Sequence, residues 1–398
     1  MSLQPRDIVI VDAVRTASGK GRNGGGLAEV HPVDLLAQTF IKLAGRTPEL
    51  DPGEVDDVLI GCVSQVGEQS ATPGRMAWLG AGFPAHVPAT TIDRKCGSSQ
   101  QAVHFAAQGI AAGAYDIAIA GGVESMSRVV MGSARMGADP YGEMVAERYA
   151  PGLVSQGVAA DLVAARWKLE REDLDSYAAE SHRRAGIALE SGSFARETIA
   201  IDTPSGVFDR DETVRAGSTV EKLSALRSVF GTEALAERFP EVGWHTTAGN
   251  SSQITDGASV LLMMSAERAA SLELTPRARV HTMSVVGDDP LLMLTAPIPA
   301  THRVLARSGL PLEAIDHIEI NEAFASVPLA WMAEFGDADP ARINPRGGAI
   351  ALGHPLGASG ARLMTTMLHA LEDDGGRYGL QLMCEAGGMA NATIIERL

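Results

Sequence analysis

The chain has 398 residues, of which 45% are hydrophobic and 43 are glycine, and this length predicts two domains or a fused pair. Its net charge of −16 argues against nucleic acid as a partner. No apolar run reaches the roughly 18 residues that a membrane span requires, and the first residues do not resemble a secretory signal. The three cysteines are far apart, which argues against a disulfide scaffold or a CxxC metal site. These features predict a cytoplasmic protein in a reducing compartment.

The first candidate for chemistry along the chain is Cys96. A β-branched run precedes it and a helix-like run, residues 102–112, follows, so the pattern predicts a strand-to-helix elbow. A thiolate at a helix N-terminus is stabilised, so we expect the pKa of Cys96 to fall, as a nucleophile requires. Taken alone, a cysteine here could equally be a small buried hydrophobe.

The pattern changes between residues 125 and 244. This stretch contains methionine-rich and glycine-rich segments, a predicted long amphipathic helix over about residues 158–190, and irregular polar loops over 204–218. Methionines in such a stretch more often fill gaps in a core than contact a ligand.

Three further candidates lie in the last 80 residues. Asn321 follows a short alternating strand and, taken alone, would be a turn-former. His354 lies in a run of glycines followed by an apolar helical pattern, residues 361–371, and alone it would be structural. Cys384 ends a predicted strand that enters a Gly-Gly turn.

A weak internal repeat relates the two ends of the chain. Residues 56–62 resemble residues 315–321, and Cys96 and His354 follow at similar distances. Each is then followed by an apolar helix, a strand and a Gly-Gly pair. The repeat predicts two similar halves of mostly parallel sheet covered by helices, whose elbows meet in one site if the halves pack face to face.

Four motifs together resemble those of the thiolases, the acetyl-CoA acyltransferases, in order and at family spacing over residues 8–398. They are a Cys-Gly-Ser elbow at Cys96, NEAF at Asn321, GGAIALGHPLGASG around His354, and C-x-x-G-G from Cys384. The resemblance implies an α/β thiolase fold, in which two similar mixed-sheet halves stack in five αβαβα layers with an inserted loop domain. We predict an N-terminal half at 1–124 and 245–270, a CoA-binding insertion at 125–244, and a C-terminal half at 271–398.

The resemblance also implies the roles of the four residues. Cys96 would attack a 3-ketoacyl-CoA, His354 would take its proton, and Cys384 would act as acid and base at the α-carbon. Asn321 would hold a water in an oxyanion hole with His354, and a second hole would use backbone N–H groups at Cys96 and just after Cys384. The family's glycine two residues beyond the second cysteine is Ala386 here, so the geometry of that hole is an open question.

For coenzyme A, the resemblance assigns Ser252 to a pantetheine contact, Ala248 to a pocket wall and Arg215 to the adenine side. Phe324 and Met293 would wall the acyl channel. The resemblance implies no metal and no covalently bound cofactor, with coenzyme A as co-substrate. It also implies a homodimer or a homotetramer.

The sequence therefore predicts a 3-ketoacyl-CoA thiolase, reversible as a Claisen condensation and degradative, acting on fatty acyl or steroid and ring-derived acyl-CoA. Ser155-Gln156 stands where short-chain relatives carry His-Met, which widens or re-polarises the pocket, and few aromatics are available to narrow it. The alternatives are a biosynthetic acetoacetyl-CoA thiolase, a ketoacyl synthase and a non-catalytic acyl-CoA or lipid carrier. Cys384 and Asn321 favour a thiolase over a synthase.

Overall fold

Strands and helices alternate through residues 3–398, the part of the chain that the computed structural model describes. The strands within it are, in chain order, Ile8–Thr16 (β1), Gly19–Lys20 (β2), Asp57–Gly61 (β3), Ala89–Ile92 (β4), Ile117–Ser125 (β5), Thr198–Ile199 (β6), Ile201–Thr203 (β7), Gly206–Phe208 (β8), Thr255–Ser265 (β9), Ala278–Gly287 (β10), His317–Ile320 (β11), Tyr378–Glu385 (β12) and Met389–Arg397 (β13).

The α-helices of the same range cover both the longer strands and the segment between β5 and β9. They are Pro32–Ala44 (α1), Pro73–Gly80 (α2), Ser98–Ala112 (α3), Gly142–Arg148 (α4), Gln156–Arg166 (α5), Arg171–Glu190 (α6), Val220–Ser224 (α7), Glu233–Arg238 (α8), Ala266–Ser271 (α9), Pro297–Ser308 (α10), Ser326–Glu334 (α11), Ala349–Leu352 (α12) and Ser359–Asp374 (α13).

The two ends of the chain form sheets of matching order, as the internal repeat predicts. The N-terminal sheet runs β4-β3-β5-β9-β1, and the C-terminal sheet runs β11-β12-β13-β10. Ile343 forms an isolated parallel bridge to Ile318 of β11, so it flanks β11 as β4 flanks β3. One long strand in each half, β9 or β13, is antiparallel to its neighbours, and β3 pairs in parallel with β4 and β5, as β11 does with β12. Both sheets are therefore mixed, and the prediction of mostly parallel sheets is wrong because this long antiparallel strand enters each of them.

The two sheets join edge to edge, which the repeat alone does not predict. β1 and β10 pair antiparallel at Val9 with Arg279 and at Ile10 with Ala278, so hydrogen bonding is continuous across both halves. The pairing of each strand with its other neighbour shifts register one residue beyond the Val9–Arg279 pair, starting at Ile10 in β1 and at Val280 in β10. A shift of this kind bends a strand and increases its twist, so the joined sheet turns sharply and its halves lie face to face.

Five layers result, which confirms the predicted thiolase fold. Helices α1 and α2 cover the outer face of the N-terminal sheet, and α10 packs on β10 and β13 at the opposite outer face. Helices α3 and α13 contact each other and lie between the two sheets, each of their apolar faces buried. Both helices follow a candidate site residue, so this central layer brings those residues together.

The N-termini of the two central helices approach within backbone contact. A Cβ at Gly360 would lie 2.4 Å from the backbone nitrogen of Gln100, so no larger residue fits there. The Ser99 hydroxyl accepts a hydrogen bond of 2.9 Å from the N–H of Ala361. The elbows predicted to meet therefore do meet.

The predicted single helix over residues 158–190 is wrong, because the segment forms two helices, α5 and α6. Lys168 adopts a left-handed conformation with φ of 54°, which interrupts the helix. Glu170 then starts α6 with a capping box, in which its side chain and that of Asp173 each accept a backbone N–H.

Within residues 3–398, no helix combines the length and the apolar character that crossing a membrane would require.

Candidate active site

Cys96 occupies the elbow that the sequence predicts. It follows β4 by four residues and precedes α3, whose N-cap is Gly97. Lys95 reaches the elbow with φ of 50°, a conformation that costs a non-glycine residue about 1–3 kcal/mol. The turn points the cysteine into the layer between the sheets, where the side chain is 4% exposed.

The prediction that the pKa of Cys96 falls is wrong for the free protein. Burial raises it, and the neighbouring Cys384 and Glu385 raise it further, against the lowering effect of the backbone N–H groups of Cys96 and Ala386. A helix N-terminus contributes about 0.3–1 kcal/mol, whereas full burial shifts a thiol by several times that amount. The resting nucleophile is therefore a thiol, and forming the thiolate requires a base.

His354 is a neutral imidazole with one free nitrogen. Its Nδ1 lies 2.5 Å from the Ser359 hydroxyl, which donates its single proton to the carbonyl of Pro355 at 2.9 Å. From this pattern we assign the ring hydrogen to Nδ1, so that Nε2 is the unprotonated acceptor, and Nε2 has no partner within the described residues. Burial and the charge of Arg362 lower the pKa of His354 to about 3, which keeps that nitrogen free at neutral pH.

Cys384 and Asn321 lie against each other at the ends of neighbouring strands. The Asn321 amide donates to the Cys384 sulfur at 3.7 Å, and its Oδ1 has no partner in residues 3–398. Burial raises the pKa of Cys384 to about 12, although the Asn321 amide opposes that rise. This value is far above that of a free thiol, so Cys384 holds its proton in the resting protein.

Ala386 keeps a backbone donor in the place where relatives have glycine. Its φ is not positive, and the left-handed conformations of this turn fall on Gly387 and Gly388 instead. The Ala386 N–H and the N–H of Cys96 both act on the Cys96 sulfur. The alanine therefore leaves this pair of donors intact.

The segments that carry these residues share one small apolar cluster. Cys96 packs in it with Leu356, two residues beyond His354, and with Met383, which precedes Cys384. Leu363 of α13 and Met126 complete the cluster. The segments that carry His354 and Cys384, from the C-terminal half, thus pack against the segment that carries Cys96.

The residues predicted to contact coenzyme A differ in their exposure to solvent. Arg215 and Ala248 are exposed and Ser252 is half-buried, while Phe324 is 9% and Met293 5% exposed. The N–H of Ser252 donates to the carbonyl of Ala323 at 2.9 Å, beside Phe324.

Comparison with known proteins decides the family. Residues 8–267 match the family "Thiolase, N-terminal domain", and residues 274–397 match "Thiolase, C-terminal domain". The chain belongs to the thiolase family. It is therefore an acyltransferase.

Individual relatives agree in length as well as in sequence. The steroid 3-ketoacyl-CoA thiolase FadA6 of Mycobacterium tuberculosis is 48% identical, over 98% of this chain and 94% of its own. A 3-ketoacyl-CoA thiolase of Saccharophagus degradans is 43% identical over all of both chains. The solved structure of the dimeric peroxisomal thiolase of Saccharomyces cerevisiae is 35% identical and superposes with a TM-score of 0.91, over 100% of this chain and 99% of that one.

Gln253 was not among the residues predicted from the sequence. It connects the predicted coenzyme A segment of this thiolase to the loop that contains His354. Its carbonyl accepts the N–H of His354 at 2.9 Å, and its amide donates to the carbonyls of Thr213, Ile350 and Ala351. The Arg215 guanidinium donates to its Oε1 at 3.2 Å. No motif marks Gln253, because its role depends on segments about a hundred residues apart.

Glu124, a fully buried carboxyl group at the end of β5, was also not predicted from the sequence. It accepts hydrogen bonds from the N–H groups of Val63, Ser64 and Gly357 at 2.9–3.0 Å. Since Gly357 is three residues beyond His354, Glu124 fastens the histidine loop to the N-terminal sheet. Glu124 lies two residues after Gly121-Gly122, and this position was the sequence feature that could have indicated it.

Phe230 corrects the expectation that few aromatics can narrow the acyl side of the site. A Cβ at Gly157 would lie 2.3 Å from the Phe230 ring, so the ring fills the space beside Ser155-Gln156. Phe230 also stacks edge-on against Phe324, with ring centroids 6.1 Å apart. An aromatic distant in sequence thus lies beside the predicted channel wall.

Two observations concern possible sites away from the cysteines and His354. Among residues 3–398 there is no cluster of three or more His, Cys, Asp or Glu arranged to hold a metal ion. A cavity of 280 Å³ lies between α6 and the segment 340–344, lined in part by Tyr177, Glu322 and Leu329. It does not include the cysteines or His354.

Proposed function

We propose that this thiolase cleaves 3-ketoacyl-CoA with coenzyme A in a degradative pathway, and that Cys96 carries the acyl group. The proposal rests on the surroundings of Cys96: Cys384 and two backbone N–H groups act on its thiol, and Leu356, two residues beyond His354 with its unpartnered Nε2, packs against it. The two relatives named as 3-ketoacyl-CoA thiolases support the substrate class, and the name of the 48% identical one supports steroid-derived acyl groups.

The first half-reaction follows from the protonation states. The Cys96 sulfur attacks the 3-keto carbon while His354 Nε2 takes the thiol proton. We propose that the N–H groups of Cys96 and Ala386, which both lower the pKa of the Cys96 thiol, stabilise the developing oxyanion, an effect worth about 3 kcal/mol per donor. When the bond between C2 and C3 breaks, its electron pair goes to the α-carbon of acetyl-CoA, and Cys384 delivers its proton there.

The second half-reaction reverses the proton transfers. Coenzyme A gives its thiol proton to the Cys384 thiolate, and its sulfur attacks the acyl-Cys96 carbonyl. Acyl-CoA leaves, and the Cys96 thiolate recovers its proton from His354. The high pKa of Cys384 suits this order, because the group must be an acid before it is a base.

We also propose that the insertion, residues 125–244, and the segment around Ser252 hold coenzyme A, with Arg215 at the adenine end and Ala248 along the pantetheine. Phe324 and Met293 would then wall the acyl group. The exposure gradient along these residues supports this direction.

The assembly and compartment proposed are a homodimer or homotetramer in a reducing cytoplasm. The edge strand β4 ends the N-terminal sheet with part of its surface exposed, and the yeast peroxisomal relative is described as dimeric. The three cysteines are all free thiols, which suits a reducing compartment.

Acyl transfer to Cys96 is tested by mass spectrometry after incubation with acetyl-CoA. We expect an acetyl group on the peptide containing Cys96 and on no other, and its loss in Cys96→Ser. Cys62→Ser is the matched control, because Cys62 is also buried and free but should not affect labelling. Acetylation of Cys384, or of neither cysteine, would refute the assignment, and the latter would favour a non-catalytic carrier.

A further inference from the structure

Glu385 is a buried carboxyl group that the proposed mechanism does not use. It is the last residue of β12, directly after Cys384, and is 0% exposed. Neither carboxyl oxygen makes a hydrogen bond of normal geometry within the described residues, although the Asn391 N–H lies near enough to lower its pKa. An unpaired buried carboxyl costs several kcal/mol if charged, so its position calls for an explanation.

The side chain points at the residue that follows the nucleophile. A Cβ on Gly97 would lie 1.8 Å from Glu385 Oε1, so the carboxyl occupies the space that a side chain at position 97 would fill. The dipeptides Cys96-Gly97 and Cys384-Glu385 therefore face each other, one from each half of the chain. The glycine is needed for this close approach because any other residue would displace the carboxyl.

The charge of this group acts on both thiols. A negative Glu385 raises the pKa of Cys96 and the pKa of Cys384. Burial raises the pKa of Glu385 to about 8, and the charge of Arg94 opposes that rise. At neutral pH the carboxyl is thus mostly protonated, and above pH 8 it is mostly charged.

The other titratable groups around Glu385 do not replace its effect. Arg94 and Cys96 face it from the loop before α3, and Cys384 precedes it on β12. His104 of α3 contacts Asn391 of β13, and burial lowers its pKa to about 3, so it is uncharged at the pH values in question.

We propose that Glu385 is a positioning residue of the thiol pair: its neutral carboxyl lets Cys96 and Cys384 lose their protons, and its carboxylate opposes this loss. The proposal deepens the proposed thiolase function and rests on it, because the two thiols are the reacting groups. It predicts that the reactivity of the cysteines rises less steeply above pH 8 than simple thiol ionisation would give.

The test is the rate of alkylation by iodoacetamide, measured at the Cys96 and Cys384 peptides between pH 6.5 and 9.5. In Glu385→Gln, which keeps the shape without the charge, we expect alkylation at pH 9 to be about three- to tenfold faster than in the wild type. At pH 6.5 the ratio should be nearer to one, because the wild-type carboxyl is then neutral. Glu396→Gln is the control, a buried glutamate at the far end of the same hairpin, and should not change the pH dependence.

A wild-type pH profile in Glu385→Gln, or the same shift in Glu396→Gln, would overturn the proposal. Glu385→Ala is the second variant and carries the same expectation, and melting temperatures identify any variant that fails to fold. Alkylation needs no acyl-CoA, so this outcome is scored separately from thiolysis. If the wild type cleaves no 3-ketoacyl-CoA but the profiles differ as expected, the proposed function fails and the charge effect of Glu385 stands.

Discussion

At the scale of single residues, the site divides proton handling between two groups with opposite resting states. His354 presents a bare Nε2 because Ser359 fixes a hydrogen on Nδ1, and Cys384 retains its proton because burial raises its pKa. The first group can only accept a proton and the second can only donate one at the start of thiolysis. The two residues should therefore fail at different steps when they are removed.

Cys384→Ala should still form acetyl-Cys96 from acetyl-CoA, because the CoA thiolate is a weak enough base to leave without an acid. It should lose steady-state thiolysis by about 10²- to 10⁴-fold, since no group protonates the α-carbon. His354→Ala should slow acetylation itself, because the thiol then lacks its base. Single-turnover labelling and steady-state thiolysis of the same preparations separate the two effects. Equal loss of acetylation in both variants would mean that Cys384 has a structural role.

The residue types and their order could be predicted from the sequence, but their protonation could not. The elbow at Cys96 is local, because strand, glycine and helix follow within a few residues. The groups that raise its pKa, Cys384 and Glu385, lie almost 300 residues away in the chain. Burial between two sheets is a tertiary property, so a helix N-terminus alone gave the wrong direction.

At the scale of secondary-structure elements, the contact between α3 and α13 sets the geometry of the site. Gly360 permits it, because a Cβ there would lie 2.4 Å from the backbone of Gln100. Alanine is favoured over glycine inside a helix by up to about 1 kcal/mol, and a clash with backbone costs about 1–3 kcal/mol. At position 360 we therefore expect the cost of the clash to exceed the gain in helix propensity.

Gly360→Ala is therefore expected to lower the free energy of unfolding by about 1–2 kcal/mol and to reduce thiolysis as well. The measurement is a urea titration followed by circular dichroism. Gly186→Ala is the matched control within α6, where a Cβ meets open space, and it should raise stability by about 0.5–1 kcal/mol. Two variants that shift in the same direction would argue against a close helix contact.

The break between α5 and α6 shows why the sequence pattern wrongly predicted one continuous helix. Hydrophobic periodicity runs on past residue 167, but the left-handed Lys168 and the capping box at Glu170 end one helix and start another. The Glu-x-x-Asp pattern of that box was visible in the sequence. Periodicity outweighed it because polar residues in a long amphipathic segment also fit a solvated helix face.

At the scale of the whole molecule, the proposed acyl site combines residues of the insertion with residues of the C-terminal half. Ser155-Gln156 leaves more room than a His-Met pair, whereas Phe230 reaches in beside Gly157 and Phe324. On this proposal, the acyl group would meet an aromatic wall that composition could not reveal. An apolar wall of this kind suits a branched or ring-shaped acyl group.

We expect branched, cyclic and medium-length 3-ketoacyl-CoAs to be cleaved with a kcat/KM at least about tenfold above that of acetoacetyl-CoA. Phe230→Ala should change the ranking within this panel, whereas Phe105→Ala, on an exposed ring of α3, should not. The measurement is a thiolysis assay across the panel. Better cleavage of acetoacetyl-CoA throughout would contradict the prediction and move the enzyme to two-carbon metabolism.

The join between β1 and β10 has the form of a two-fold symmetric contact within one chain. Val9 pairs with Arg279, and the register shift starts one residue further along in both strands, so each half presents the same edge to the other. Such self-complementary pairing is how identical subunits form an isologous dimer. The protein is thus organised as a covalently linked dimer of two half-length units. The proposed reaction centre would draw the nucleophile from one unit and the base and second thiol from the other, so neither half, expressed alone, would contain a complete set of reacting groups.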